Sequence, residues 1–396
     1  MTLMLDTVDP AIVGMAADRL ALAGDLMQRQ FDEGRSPMLA AIVARHGQVV
    51  FTKTLGDHRP GGPPLALDSV FPLASNGKPM TAATLLALVE RGMVGLTEPA
   101  VDYLPELAAG DNGEVLVHHL LTHTSGWDQD DIRASMDAMV AAGDRSQIPP
   151  NRDLLSHLFL TSGWAVPRRR AAGEAMGYTN FNYSLISEIV RRVTGGTLDA
   201  AMSDLLFDPT GMTRSAVIVP DSLLPHVVER PPGIPHAPGH ADTVLAHFDP
   251  LWLSCDDGMC GVHASPLDNL RFLEMVRNGG VAGDTRVLSP AAIQVMTTNQ
   301  IPGVAADLGF FKLREASWAY AFNVATADPL AHYRGGTPSR GTLRHGGSGG
   351  VTSWVDPELG ITGVYFEMLT EEDAFGGPVS WAIDRFEDIV TSAVLD

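Results

Sequence analysis

Residues 71–92 read Phe71-Pro-Leu-Ala-Ser-Asn-Gly-Lys-Pro-Met-Thr-Ala-Ala-Thr-Leu-Leu-Ala-Leu-Val-Glu-Arg-Gly92, and the rest of the chain is organised around them. From Met80 to Gly92 the run is almost wholly apolar (Ala82, Ala83, Leu85, Leu86, Leu88, Val89), which predicts a helix buried on most sides. Ser75 and Lys78 stand three apart at its start, so both lie on one face of its first turn. An ammonium desolvated beside a hydroxyl titrates near neutrality and can activate the serine, and the helix N-terminus offers N–H groups to a developing oxyanion. The competing reading is a Ser N-cap with a solvated Lys. The apolar helix behind the pair leaves no solvent-facing reason for Lys78 and favours the chemical reading.

Upstream, Ile12, Met15, Ala16, Leu20, Ala23, Leu26 and Met27 recur at helical spacing and predict a helix over 10–33, stopped by Gly34. Residues 38–45 and 48–53 are β-rich and flank His46-Gly47, the pattern of a hairpin. Downstream, helices are predicted over 115–123, 130–142, 151–160, 181–194 and 197–206. Residues 208–250 are rich in Pro and His with little periodicity, and a loop of that length in a compact protein is usually functional. Strand character returns at 342–345, 351–356 and 361–367, and a closing helix is predicted over 378–393. Strands at both ends therefore enclose a helical middle, as one sheet assembled from distant parts of the chain.

The chain has 396 residues, 45% of them apolar, with 27 basic against 47 acidic side chains and a net charge of −20. It is long enough to bury large cores, and the acidic balance argues against nucleic acid and anionic lipid as partners. Two cysteines, Cys255 and Cys260, exclude a disulfide scaffold or zinc finger and read as buried thiols of a reducing compartment. The N-terminus carries Asp6, Asp9, Asp18 and Asp25 rather than a basic start and apolar core, and no run of 18 apolar residues occurs. A soluble cytoplasmic protein is expected, with no membrane partner; nothing bears on oligomeric state.

Two further clusters could carry chemistry. Tyr178-Thr-Asn180 precedes the helix predicted from 181: a Tyr can serve as general acid or base, and an Asn can orient a lysine and a carbonyl. The alternative is a packed Tyr with an Asn N-cap. Arg344-His-Gly-Gly-Ser-Gly-Gly350 closes a predicted strand, where small residues let a substrate approach the backbone N–H groups; a plain Gly-rich turn is the alternative.

Taken together and in this order, the three clusters resemble the serine β-lactamase and penicillin-binding-protein superfamily, whose nucleophile motif is S-x-x-K. The class C-like branch, with its Y-x-N motif, is the nearest, and within it the β-lactamase-like esterases (family VIII carboxylesterases). Flanking segments agree: Phe71-Pro-Leu-Ala74, Leu120-Leu-Thr-His-Thr-Ser-Gly126, Gly173, Arg191-Arg-Val-Thr-Gly195 and the stretch from Gly258 to Asp268. The similarity runs from about residue 38 to 368. It implies an α+β fold in which an antiparallel sheet is flanked by N- and C-terminal helices. The sheet domain would be discontinuous (1–74 and 256–396), around a mainly helical domain at 75–255.

By the same resemblance, Ser75 is the acylated nucleophile, Lys78 its partner base, Tyr178 the proton shuttle to the leaving group and Asn180 a substrate-orienting amide. The Lys-Thr-Gly of β-lactamases is replaced by His345-Gly346-Gly347, and Ser348 would add its N–H to that of Ser75 in the oxyanion hole. Whether Lys78 or Tyr178 takes the serine proton stays open. A histidine is mostly neutral at pH 7 and Gly346 has no hydroxyl, so the cation and hydroxyl that greet a β-lactam carboxylate are missing. Arg344 could supply the charge.

These departures turn the reading from β-lactamase toward a hydrolase of carboxylic esters acting through an acyl-enzyme on Ser75. Its substrate is a small ester or amide, and it needs no cofactor or metal. The alternatives with the same residues are a D-amino-acid amidase or DD-peptidase, a β-lactamase and an acyltransferase.

Gly346-Gly-Ser-Gly-Gly350 also fits the G-x-S-x-G elbow of α/β-hydrolases. That fold needs a histidine after the serine, and the last histidine here is His345, so Ser348 is not a nucleophile. His119 and His123, and His236, His240 and His247 near Asp242, lack completing metal-ligand spacing. Arg168-Arg-Arg170 reads as a solvated charge run. Trp127, Trp318 and Tyr320 read as core, whereas Trp252 and Trp354 are equally good as core or as pocket walls.

Overall fold

The computed structural model describes residues 6–59, 61–108, 112–142, 152–229, 250–307, 312–326, 336–368 and 382–396. Its centre is a six-stranded antiparallel sheet of β1 (Leu39–Arg45), β2 (Gln48–Leu55), β3 (Asn323–Val324), β4 (Leu343–Gly347), β5 (Val351–Asp356) and β6 (Ile361–Glu367). The strand order is β3-β4-β5-β6-β1-β2. The expected hairpin is there, with a turn at His46 (φ 51°) and Gly47 (φ 78°), the two positive φ values that match hairpin twist. β1 pairs with β2 on one edge and β6 on the other, Leu39 facing Glu367 and Arg45 facing Ile361. The ends of the chain thus share one sheet, as the pattern of strands implied.

All seven residues of β1 are buried, which explains why its sequence does not alternate. Leu39, Ala41 and Val43 face an outer core with Met27, Tyr365, Phe386 and Val390. Ala40, Ile42 and Ala44 face the main core, with Phe71, Leu85 and Phe272. The outer layer comprises α1 (Ala17–Asp32) and the closing helix Ala382–Ser392; the expected helix over 10–33 is shortened to α1 after a 3₁₀ turn at Pro10–Val13 that Gly14 ends with φ 69°. Of the closing helix expected over 378–393, residues 378–381 lie outside the described residues.

On the inner side lie α2 (Lys78–Glu90), α3 (Phe181–Thr194) and α4 (Pro266–Arg277). α2 is buried from Lys78 to Leu88 and packs on α3 and on the helix Pro290–Thr297. Further helices occupy Val117–Leu121, Gln129–Ala142 and Leu154–Ser162, near the expected positions. The helix expected over 197–206 divides into Leu198–Met202 and a π-helical turn, Ser203–Phe207. A small sheet joins Phe71–Pro72, His263–Ala264 and Ser215–Ala216, fixing the strand before Ser75 to the segment that follows Gly261. Of the Pro/His-rich 208–250 stretch, residues 230–249 with His236, His240, Asp242 and His247 fall outside the described residues. No described helix is long and apolar enough to cross a membrane.

Candidate active site

Ser75 lies in a 3₁₀ turn, Ala74–Gly77, that runs directly into α2. Ala74 holds φ 47°, a left-handed conformation costly for a residue with a Cβ, as is found where a functional group must be presented. Two close approaches fix the turn. A Cβ on Gly77 would stand 2.6 Å from Val262 Cβ, and one on Gly347 would collide with the Leu73 carbonyl oxygen. The end of β4 is thus pressed against the turn that carries Ser75. Ser353 of β5 donates a 2.8 Å hydrogen bond to Asn76 Oδ1, tying the turn to the sheet a second time.

Lys78 is completely buried, so it is no solvated lysine. Its Nζ lies 2.8 Å from Ser75 Oγ, 2.9 Å from Asn180 Oδ1 and 2.7 Å from the Met259 carbonyl. Three partners suit both protonation states. An ammonium donates to all three, and a free amine donates to Asn180 and Met259 while its lone pair receives the Ser75 hydroxyl. Burial brings the lysine down to about 8, against the raising influence of Cys260 and Asp257.

Asn180 stands at the N-cap position of α3 but makes no side-chain cap; its amide oxygen serves Lys78 instead. Its backbone N–H donates to Gln129 Oε1 at 2.7 Å, which anchors the Tyr178–Asn180 loop.

Tyr178 sits in an aromatic box. His123 stacks on it at 4.2 Å between centroids, Trp318 meets it edge-on at 6.0 Å, and Lys78 Nζ lies 5.2 Å from its ring centre. His123 is fully buried and held well below its ordinary range by burial, with Lys78 and His345 adding to the effect, so it is a neutral platform. Tyr178 Oη is 3.4 Å from Nε2 of His345, whose Nδ1 lies 2.5 Å from the Ala321 carbonyl.

The loop at Asp256–Gly261 supplies the last wall. Asp257 accepts from the Met259 N–H at 2.9 Å and from Ser187 Oγ at 3.4 Å, shaping the turn that aims the Met259 carbonyl at Lys78. Burial lifts Asp257 to about 6, partly opposed by Arg191. Cys255 and Cys260 are free and buried; burial pushes the Cys260 thiol up to about 11, so it stays protonated beside Ser75 and Lys78.

The remaining expected residues separate. Trp354 lies on the opposite sheet face from Ser353, packed on Phe386 in the outer core, so it walls no pocket at Ser75. Its place follows from strand alternation: Ser353 points to Asn76 and its neighbour points away. Trp252 is buried against Phe159 at 5.7 Å, in the main core. Arg344 also turns outward, pairing with Asp384 at 2.6 Å and Glu387 at 3.1 Å, so it supplies no charge at the third motif.

The Arg168–Arg170 run is not simply solvated: Arg168 pairs with Glu114, Arg169 with Asp131 and Arg170 with Asp307. His123 falls beyond the short helix Val117–Leu121 that carries His119. Among the described residues no group of three or more His, Cys, Asp or Glu could hold a metal ion. Trp318, Ala321, Met259 and Asp257 are site neighbours that sequence reasoning missed; for Met259, the Gly-bounded 258–261 segment was the available signal.

Comparison with known proteins gives a consistent picture. A family model described as Beta-lactamase matches residues 23–377. Esterase EstB of Burkholderia gladioli is 31% identical over 407 residues, covering 95% of this chain and 97% of that protein. Penicillin-binding protein 4 of Amycolatopsis lactamdurans is 28% identical, covering 84% and 79% respectively. Among solved structures, a family VIII carboxylesterase superposes with a TM-score of 0.73 at 20% identity, covering 96% of this chain and 99% of its own, which shows a shared fold.

Proposed function

This chain belongs to the beta-lactamase family, and from that premise we propose a serine hydrolase that cleaves neutral carboxylic esters through an acyl-enzyme on Ser75. The observation that carries the reading is the buried Lys78, hydrogen-bonded at once to Ser75, Asn180 and Met259. Such a lysine has no structural task that an apolar side chain would not perform at lower cost. As the free amine it takes the hydroxyl proton while Oγ attacks the ester carbon.

The N–H groups of Ser75 and Ser348 are the proposed oxyanion donors; the contact of Gly347 with the Leu73–Asn76 turn, which brings the two segments together, supports the assignment. Collapse of the adduct expels the alcohol, which takes its proton from Tyr178, and water then releases the acid. Asn180, His345, Gly346 and Gly347 border the substrate.

Preference for a neutral ester over a β-lactam or a peptide carboxylate rests on the third motif. His345 replaces lysine there, and Arg344 is committed to Asp384 and Glu387. The esterase name of the Burkholderia relative agrees. The same reading divides the chain into a discontinuous sheet domain (1–74 and 256–396) and a mainly helical domain (75–255), supported by all six strands of the main sheet lying in the first two ranges and the helices Lys78–Glu90 and Phe181–Thr194 in the third. The two free thiols suit the cytoplasm.

Ser75→Ala should reduce hydrolysis of a short p-nitrophenyl ester to the uncatalysed background; undiminished turnover would refute the assignment. Assayed beside that ester, nitrocefin and a D-alanyl amide should turn over poorly. Turnover of nitrocefin alone would overturn the preference for neutral esters.

A further inference from the structure

His345 stands where the related β-lactamases carry a lysine cation, yet its surroundings give it the opposite hydrogen-bonding sense. Its Nδ1 is 2.5 Å from the carbonyl oxygen of Ala321, and a carbonyl can only accept. The ring proton therefore sits on Nδ1, and the Nε2 lone pair faces the hydroxyl of Tyr178 at 3.4 Å. A contact of that length is ordinary for a free enzyme whose catalytic hydrogen bonds tighten on substrate binding.

The tautomer is enforced by backbone strain. Ala321 is fully buried and holds φ 66°, a left-handed conformation that turns its carbonyl toward His345. It lies in a tight turn closed by the Ala319 N–H donating to Phe322 O at 2.8 Å and by the Trp318–Asn323 bridge. Trp318 from the same turn packs edge-on against the His345 ring at 5.7 Å. His123 stacks on the face of the Tyr178 ring, and burial makes it a weak base, so it does not compete for the phenolic proton.

We propose that His345 is the proton partner of Tyr178, taking the phenolic proton during acylation and returning it to the leaving alcohol through Tyr178. This rests on the ester-hydrolase reading above. As Ser75 Oγ bonds to the acyl carbon, its proton passes to the Lys78 amine. Lys78 hands a proton to Tyr178 Oη while the phenolic proton crosses to His345 Nε2. When the carbon–alkoxide bond breaks, Tyr178 gives a proton to the departing oxygen and recovers one from His345. One proton leaves Ser75, one arrives on the alcohol, and Lys78, Tyr178 and His345 end as they began. Because His345 acts through Tyr178, it matters in proportion to how badly the leaving group needs a proton.

The test compares kcat/KM, which reports acylation, for the p-nitrophenyl and ethyl esters of one short acid. p-Nitrophenolate departs unprotonated, whereas ethoxide does not. His345→Gln, which keeps an acceptor but cannot carry the proton, should lose ~10²-fold on the ethyl ester and under ~10-fold on the p-nitrophenyl ester. His345→Ala should show the same split, and the retained p-nitrophenyl activity certifies folding. Adding His345→Gln to Tyr178→Phe should cost nothing further on the ethyl ester.

Equal losses on the two esters, or a full additional loss in the Tyr178→Phe background, would overturn the proposal. If Ser75→Ala is inactive and those results appear, only the His345 role falls; if Ser75→Ala stays active, the ester-hydrolase reading falls with it.

Discussion

The three neighbours of Lys78 can serve the ammonium and the free amine alike, so its titration needs no new partner. In the proposed mechanism the amine is the active form, and burial brings the group down to about 8. Log kcat/KM should therefore climb with pH and level off above about 8, as a pH–rate profile with a p-nitrophenyl ester would register. The ionised Asp257 opposes that lowering, so Asp257→Asn should move the limb to lower pH; an unmoved limb would show that Asp257 does not influence Lys78. The serine, lysine, tyrosine and asparagine were legible because their chemistry is written in short spacings. Met259, Ala321 and Trp318 were not, because each reaches the site from a distant segment: Met259 accepts from Lys78 across 181 positions. A backbone carbonyl, moreover, leaves no mark in the residue type.

At the scale of elements, β4 and the Ala74–Gly77 turn touch without room for one methyl group. Gly347→Ala should displace the strand from the turn and depress kcat while leaving much of the fold intact; kinetics beside a thermal melt would separate the two effects. Unchanged kcat would mean that the turn tolerates the shift. The hairpin was legible from His46-Gly47 because few residue pairs accept two positive φ values. Helix starts were less so. The periodicity over 10–33 continues through a 3₁₀ turn that only Gly14 betrays, and two-residue strands such as Phe71–Pro72 are too short to have a period. Trp354 shows the same limit: strand alternation gives two faces, but not which one borders the site.

Over the described residues the sheet separates two cores, the inner one built around α2 and the outer one sealing α1 and the closing helix against the strands. Phe386 packs on Phe51, Trp354 and Tyr365 in the outer core. Its replacement by Ala should cost about 3–5 kcal/mol of stability by chemical denaturation, with kcat per folded molecule unchanged. A parallel fall in kcat would mean that the two cores are coupled through the sheet. The order of strands was legible only as an inference that distant segments must pair, since apolar runs give no partner. That pairing, Leu39 with Glu367 and Arg45 with Ile361, has a consequence in time. On the ribosome, β1 emerges more than three hundred residues before β6, so the hairpin waits with one edge open while the helical middle is synthesised. A nascent chain arrested near residue 350 should be protease-sensitive and without esterase activity, and release of the remainder should bring both protection and catalysis. The enzyme would then become active only once β6 has been made and has paired with β1.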